Sequence, residues 1–269
     1  MKRLYLIMIG LSTASYFGKA VTEDSLELIR DTGVDTIEVF LTTFSEYEPS
    51  FGDILVKRLN GLKVHSVHTL TSQFEPQLTN KAVRTRNDAF TILEKVGIIM
   101  KKLGASYYTF HGATVIKKTQ INPDYEWEAE CLRKVMATLA SYGGELTYEN
   151  VHWARYRSPE FIEKMHEHIP ELKTCLDIKQ AMQSGIDYKE FLKADKGTLR
   201  TVHVCDYDGD RLCPPGKGSF DFKEFFKNLY GIGYDGPVMI ELYSRDYDSF
   251  EDVKESVYYL KNISQQIRR

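Results

Sequence analysis

Four side chains suited to binding a metal lie at the ends of short apolar runs in the second half of the chain. They are Glu149, Asp177, His203 and Glu241. Each run predicts a strand, and the carboxyl ends of parallel strands meet at one mouth of a barrel. Carboxylates brought together there would repel one another without a cation between them. The pattern therefore predicts a divalent metal site.

The donor atoms of this set limit the choice of metal. Three carboxylates and one imidazole supply oxygen and nitrogen ligands but no sulfur, and such ligands favour the harder divalent ions. We expect Mn²⁺, with Mg²⁺, Co²⁺ or Zn²⁺ as alternatives. Taken singly, each residue has a second interpretation as a helix cap or a loop charge. Four equivalent positions favour the metal site.

The stretch 202–222 carries His203 into a polar loop. Side chains alternate along a strand, so His203 faces away from Val202 and Val204. Aspartates, Arg211 and a turn rich in Pro and Gly follow, and Asp221 is a suitable N-cap for the next helix. Arg211 is a candidate for binding a substrate hydroxyl or phosphate, although a solvated arginine is equally common in such loops.

Four further polar residues lie on predicted strands in the first half of the chain. His68 and His111 end the runs 62–69 and 106–111, which makes them candidates to line a pocket. His65 lies three residues before His68, so we expect the two imidazoles to face opposite ways and His65 to be structural. Glu38 lies within the run 36–41, and two interpretations are equally supported: a residue at the edge of the sheet or a residue in the pocket.

Eight apolar runs alternate with helical patterns along one domain, residues 1–269. They predict a (β/α)8 barrel, with a doubly wound open sheet as the alternative. The barrel is favoured because polar residues recur at the ends of the third to eighth strands. The predicted strands are 4–11, 36–41, 62–69, 106–111, 145–149, 172–176, the run around His203, and 237–242.

The N-terminus and the cysteines indicate in which cellular compartment the protein is expected. Met1-Lys2-Arg3 followed by the apolar run 4–11 imitates a secretory signal, but the short run favours a buried first strand. No run reaches the roughly 20 residues of a membrane span. The four cysteines form no CxxC pair, which favours reduced thiols and a cytoplasmic protein.

The net charge of −3 argues against a broad surface for nucleic acid and favours a small ligand. No membrane segment is indicated, and assembly into a homo-oligomer stays open.

Five short motifs resemble the xylose isomerase-like barrels, a family of sugar and sugar-phosphate isomerases and epimerases that also includes inosose dehydratase and the endonuclease IV group. The motifs are Glu149-Asn150, Leu176-Asp177, Val202-His203-Val204, Pro215-Gly216-Lys217-Gly218 with Asp221-Phe222, and Ile240-Glu241. The resemblance implies that Glu149, Asp177, His203 and Glu241 hold one metal. It also implies that Glu149 and Glu241 exchange protons with a sugar through an enediolate, a charge that a Lewis acid stabilises.

Two positions depart from this pattern. Gln180 stands where the epimerases commonly carry a substrate-binding histidine, and Leu212 stands where the endonuclease IV group has a ligand to a third metal. The resemblance thus favours a sugar isomerase or epimerase with His68, His111, Gln180, Arg211 and Glu38 around the substrate. The alternatives are an endonuclease IV-like phosphodiesterase, an inosose dehydratase-like lyase, and a barrel that binds a sugar without converting it.

Overall fold

Ten strands are present in the residues that the computed structural model describes, 6–115, 123–209 and 211–267. Eight belong to one parallel barrel, and the remaining two, β8 and β9, form an antiparallel hairpin after β7. In chain order the strands are β1 (Ile9–Ser12), β2 (Thr36–Leu41), β3 (Lys63–Thr69), β4 (Tyr107–Phe110), β5 (Glu145–Glu149), β6 (Lys173–Asp177), β7 (Leu199–Val204), β8 (Asp206–Asp208), β9 (Arg211–Cys213) and β10 (Val238–Ile240).

Helices follow the barrel strands and form the outer layer. They are α1 (Thr22–Arg30), α2 (Pro49–Leu59), α3 (Val83–Leu103), α4 (Tyr125–Ala140), α5 (Pro159–His168), α6 (Ile178–Gln183), α7 (Tyr188–Ala194), α8 (Phe222–Ile232) and α9 (Phe250–Ile267). Short 3-10 turns lie at Thr13–Tyr16, Thr71–Gln73 and Glu75–Thr79. As predicted, Asp221 caps α8, because its carboxylate accepts a hydrogen bond from the Glu224 backbone.

The sheet closes through β1, which pairs with β2 on one side and with β10 on the other. Leu11 is in register with both Ile37 and Ile240, so no strand of the barrel has a free edge. The (β/α)8 prediction is confirmed and the open sheet is excluded. All eight strands are parallel, so their carboxyl ends meet at one mouth.

Side chains fill the barrel interior. Met239 packs against Gly10, where a Cβ atom would also lie 2.8 Å from the carbonyl oxygen of Thr36. Above this layer the carboxylate of Glu38 accepts hydrogen bonds from Ser12, Ser66 and Thr109. A buried carboxylate surrounded by hydroxyl donors keeps its hydrogen bonds without water. This polar layer supports the mouth from below.

The expectation that His65 and His68 face opposite ways is wrong. Between β2 and β3 the register steps from Ile37–Val64 to Glu38–Ser66, so β3 bulges at His65. The extra residue breaks the strict alternation of side chains. His65 Nε2 lies 3.0 Å from the Thr201 hydroxyl of β7, and His68 lies at the mouth. The contact with Thr201 agrees with the structural role expected for His65.

The first barrel strand is shorter than predicted and begins later. It runs from Ile9 to Ser12, while Leu6 and Met8 are 41% and 47% exposed, and residues 1–5 lie outside the described residues. All four cysteines are buried and free, as their spacing predicted. None of the described helices combines the length and apolar character that crossing a membrane requires.

Asp195, at the end of α7, makes the stability of the fold depend on pH. Its carboxyl group is fully buried and accepts a hydrogen bond of 2.7 Å from Tyr156, while Oδ2 has no partner. Burial raises the pKa of Asp195 to about 7. Because the folded pKa exceeds the unfolded one, the folded state retains the proton between roughly pH 4 and 7. Stability therefore falls as pH rises through that window.

We expect Asp195→Asn to remove this loss. Between pH 5 and 8, the free energy of unfolding of the wild type should fall by about 2 kcal/mol relative to the variant. Urea unfolding at both pH values measures the difference. Glu190→Gln, an exposed change on the same helix, is the control and should track the wild type. Parallel pH curves for the wild type and Asp195→Asn would contradict the assignment.

Candidate active site

The four predicted metal ligands meet at the barrel mouth. Glu149 and Asp177 are the last residues of β5 and β6, His203 precedes the last residue of β7, and Glu241 directly follows β10. One ligand atom from each lies within 4.8 Å of the others, and all four residues are buried. The strand register brings them together, because Asp177 and Met239 are both in register with His203.

Glu38 orients His203 from below. The Nε2 atom of His203 lies 3.1 and 3.2 Å from the two oxygens of Glu38, while Nδ1 lies 3.2 Å from Glu149 and 3.6 Å from Glu241. A ring that donates from Nε2 turns the lone pair of Nδ1 toward these carboxylates. Such an arrangement needs either a second proton or a cation, and a carboxylate behind a ligand histidine is a common feature of metal sites.

Asp177 has two roles that use different oxygens. Its Oδ1 accepts a hydrogen bond from the Gln180 backbone and so caps α6, while Oδ2 accepts none. Asn150 holds the strand end by two hydrogen bonds to the Asp177 backbone, of 2.7 and 3.0 Å. The helix-cap interpretation and the ligand interpretation are therefore compatible.

Lys179 is a member of the site that the sequence analysis missed. Its side chain is 2% exposed, and Nζ lies 3.0 Å from Glu241 and 3.3 Å from Asp177. The available signal was its position two residues after a strand-end aspartate, within the first turn of the capped helix. A single lysine in a helix is normally solvated, so the spacing alone gave no reason to bury it.

His68 and His111 form a second cluster that shares Glu149. The two rings approach to 2.9 Å between their Nε2 atoms, and His111 Nε2 lies 2.9 Å from Glu149. Glu75, also buried, accepts a hydrogen bond of 3.0 Å from the His111 backbone. His68, His111 and Glu149 place ligand atoms within 4.8 Å of one another, which would also suit a cation.

The donor set fits a divalent cation. Asp177 Oδ2 and Glu149 Oε2 are buried and accept no hydrogen bond of good geometry, although Lys179 Nζ lies 3.3 Å from the first and His111 Nε2 lies 2.9 Å from the second. Both belong to residues of the four-ligand group. An ion held by three carboxylates and His203 would satisfy these oxygens and the lone pair of Nδ1 together.

The acidic groups at the mouth differ in their affinity for protons. Burial raises the pKa of Glu149, but His111 and His203 outweigh burial and lower it well below its usual value. Burial likewise opposes the effect of Lys179 on Glu241, and the ammonium lowers that pKa to about 2. At Asp177 burial prevails and raises the pKa to about 6. Lys179 is closer to Glu241 than to Asp177, which agrees with this difference.

A cavity of about 330 Å³ opens above these residues. Glu149, Glu241 and Lys179 face it, as do the predicted substrate contacts His68, His111 and Gln180. Its walls are mainly apolar and aromatic, and they include Phe17, Phe40, Trp153 and Tyr243. Aromatic faces beside a few polar groups are suited to a small polar ligand with an apolar side.

The three remaining questions about predicted contacts concern Gln180, Glu38 and Arg211. Gln180 accepts a hydrogen bond of 2.6 Å from His152 at the cavity wall. Glu38 is fully buried beneath the site, where its partners are protein groups, which favours a role in orienting His203. Arg211 is exposed on β9 and lies in a different depression beside Lys217. The structure does not bring it to the cavity.

Comparisons with known proteins agree with this architecture. A family model described as xylose isomerase-like TIM barrel matches residues 26–263. A solved D-tagatose 3-epimerase-like protein has a TM-score of 0.81 at 19% identity and covers 97% of this chain and 98% of its own. L-ribulose 3-epimerase has a TM-score of 0.79 at 17% identity and covers 98% of this chain and 96% of its own. The IolI protein with a zinc atom has a TM-score of 0.74 at 18% identity and covers 97% of this chain and 98% of its own. No curated protein sequence matches the chain.

Removal of His203 should weaken metal binding. After chelation and reloading with Mn²⁺, we expect one ion per wild-type chain, and His203→Ala should bind it at least about 100-fold more weakly because the only nitrogen ligand of the set is lost. Titration calorimetry and elemental analysis measure affinity and content. His168→Ala, on the outer helix α5, is the control. Equal metal affinity in the two variants would refute the assignment.

Proposed function

Because the chain belongs to the xylose isomerase-like TIM barrel family, we propose that it is a metal-dependent isomerase or epimerase of a sugar, sugar phosphate or related polyol. The observation that carries this proposal is the placement of Glu149 and Glu241. Both carboxylates face the 330 Å³ cavity, from β5 and from the end of β10, and both belong to the four-ligand group. Two carboxylates beside one small ligand are suited to moving a proton off and onto carbon.

The metal would be held by Glu149, Asp177, His203 and Glu241, and Mn²⁺ is the ion we propose. When bound, a divalent ion supplies a Lewis acid that stabilises negative charge on a carbonyl oxygen. The protein contributes the geometry: Glu38 orients His203, and Asn150 holds the end of β6. With these groups fixed in advance, little reorganisation is needed when a substrate enters.

Glu149 and Glu241 carry the proton transfer. One removes a proton from the carbon next to the carbonyl, giving an enediolate, and the other returns a proton to carbon, which inverts the centre or moves the carbonyl. The lowered pKa of each carboxyl keeps the carboxylate that acts first ionised and able to accept the proton. The carboxyl that returns a proton to carbon must first take one up from solvent.

A sugar is the substrate class that the cavity best supports. Phe40, Trp153 and Tyr243 offer apolar faces for the C–H side of a sugar ring or chain, and His68, His111 and Gln180 offer polar groups for its hydroxyls. The similar structures described above, which include a D-tagatose 3-epimerase-like protein and L-ribulose 3-epimerase, support the same class. An inosose dehydratase-like lyase would use the same first step, proton abstraction beside a carbonyl.

Loss of either proton-transfer carboxylate should abolish most of the activity. We expect Glu149→Gln and Glu241→Gln each to lower kcat by a factor of about 100 or more, with a smaller change in KM, because the amide cannot accept the proton. A ketose panel assayed by chromatography identifies the substrate.

The same reaction run in D₂O tests the mechanism. Deuterium should enter the product at the carbon next to the carbonyl, as nuclear magnetic resonance would detect. Glu190→Gln is the surface control and should keep wild-type kcat. Product without deuterium would point to a hydride shift or to return of the same proton.

A second candidate function is phosphodiester cleavage of the endonuclease IV type. The observation that favours it is the cluster of His68, His111 and Glu149, since phosphate-ester cleavage commonly uses two metals about 3.5–4 Å apart. Gln180 and Leu212 stand where the endonuclease IV group has ligands to a third metal, so this chain lacks those ligands. The net charge of −3 also disfavours binding to a phosphate backbone. The sugar enzyme remains the better supported proposal.

Alanine at His68 or His111 separates the two functions. For a sugar enzyme with one metal, we expect either variant to bind the ketose about 10-fold more weakly while Mn²⁺ content stays at one per chain, because the imidazoles contact hydroxyls. Elemental analysis and KM measure the two effects. Two metals per wild-type chain, with incision of an abasic duplex that declines steeply with added salt, would establish the nuclease instead.

A further inference from the structure

Lys179 places a second positive charge at the barrel mouth. The ammonium lies 3.0 Å from Glu241 Oε2, 3.3 Å from Asp177 Oδ2, and 4.4 Å from the centre of the Tyr243 ring. The side chain is almost fully buried, yet it contributes to the wall of the 330 Å³ cavity. A buried ammonium requires compensating charge, and these two carboxylates provide it.

The ammonium lies beside the candidate ligand set rather than at its centre. Its ion pairs are with Glu241 and Asp177, and in the described part of the chain Glu149 is not among its partners. His203 Nδ1 faces Glu149 and Glu241 from another side. A group at the centre would contact all four candidate ligands about equally. Lys179 does not, so an ion could bind between the four residues while Lys179 keeps its present position.

The charges support the presence of both cations. Glu149, Asp177 and Glu241 together carry three negative charges, of which a divalent ion would balance two, while the further buried carboxylate of Glu38 is paired with His203 and His68. The ammonium of Lys179 balances the third. In a buried site an uncompensated charge is costly, so the two cations complement each other.

One N–H of Lys179 remains for a ligand. An ammonium has three donors. Glu241 accepts a hydrogen bond from one of them, Asp177 Oδ2 forms an ion pair with the ammonium at 3.3 Å, and the residues described offer no further ion-pair partner. Since Lys179 faces the cavity, the third donor is available to an oxygen bound there.

We propose that Lys179 is a catalytic residue that donates a hydrogen bond to the substrate oxygen that gains negative charge during proton abstraction. The inference rests on the proposed isomerase or epimerase function and identifies the substrate as a ketose or related carbonyl compound whose reacting oxygen lies between the metal site and Lys179. No proton leaves the ammonium in this role. Charge-assisted hydrogen bonds strengthen as the acceptor becomes anionic, so the contact favours the enediolate over the neutral ketose.

The test compares Lys179→Met with the wild type. Methionine retains the length of the side chain and its apolar stem but removes the charge and the donors. Lys179→Gln, which keeps donors without charge, is a second variant should methionine disturb folding. The control is Lys189→Met, because Lys189 forms a similar pair with Glu224 at 2.7 Å but is exposed on α7. Circular dichroism and Mn²⁺ content are measured first for every protein.

The probe is acetohydroxamate, whose anion carries two adjacent oxygens as an enediolate does. We expect Lys179→Met to bind one Mn²⁺ at least as tightly as the wild type, since a neighbouring positive charge is gone. Its affinity for acetohydroxamate, measured by calorimetry on the Mn²⁺-loaded protein, should fall at least 10-fold. On any ketose that the wild type converts, kcat should fall at least 100-fold with a smaller change in KM.

Three results bear on the inference in different ways. Unchanged acetohydroxamate affinity and kcat in Lys179→Met would overturn it and leave the proposed function standing. A wild type that binds no Mn²⁺, together with a variant that binds one, would show that the ammonium occupies the place of the ion, and would also overturn it. If no ketose is converted but acetohydroxamate affinity falls as expected, the oxyanion role of Lys179 is supported and the proposed reaction is wrong.

Discussion

The mutual repulsion of buried carboxylates at the barrel mouth is the constraint on which the site depends. Glu149, Asp177 and Glu241 lie within a few ångströms of one another, out of contact with bulk water, where charges interact strongly. Lys179 and His203 provide part of the compensation. Asp177 Oδ2 and Glu149 Oε2 lie beside Lys179 and His111 but accept no hydrogen bond of good geometry, which leaves both oxygens able to bind a cation.

The fold meets this constraint by building the site on rigid elements. Strand ends hold the candidate ligands, and the layer beneath them is polar. There Glu38 accepts hydrogen bonds from hydroxyls on three strands and lies beside the imidazole of His203. Below that layer the side chain of Met239 packs against Gly10. Side chains on strands are held more precisely than those on loops, which is why the supporting residues come from the barrel.

The two carboxylates that face the cavity have different surroundings. Glu149 lies between His203 and His111, so its charge is shared between the main ligand group and the histidine cluster. Glu241 instead contacts Lys179 and lies 3.6 Å from His68. Each is ionised for a different reason, so the two carboxylates are not equivalent.

The sequence by itself determined the barrel and the ring of polar strand ends, because both depend on local patterns: alternation along strands, apolar runs, and residues that follow them. His203 faces inward and Asp221 caps a helix for the same local reasons. Only the tertiary structure decided the inward turn of His65, since a bulge arises from pairing with β2. It also decided the burial of Lys179 and the distance of Arg211 from the cavity, because the reach of a long side chain depends on which distant strands surround it.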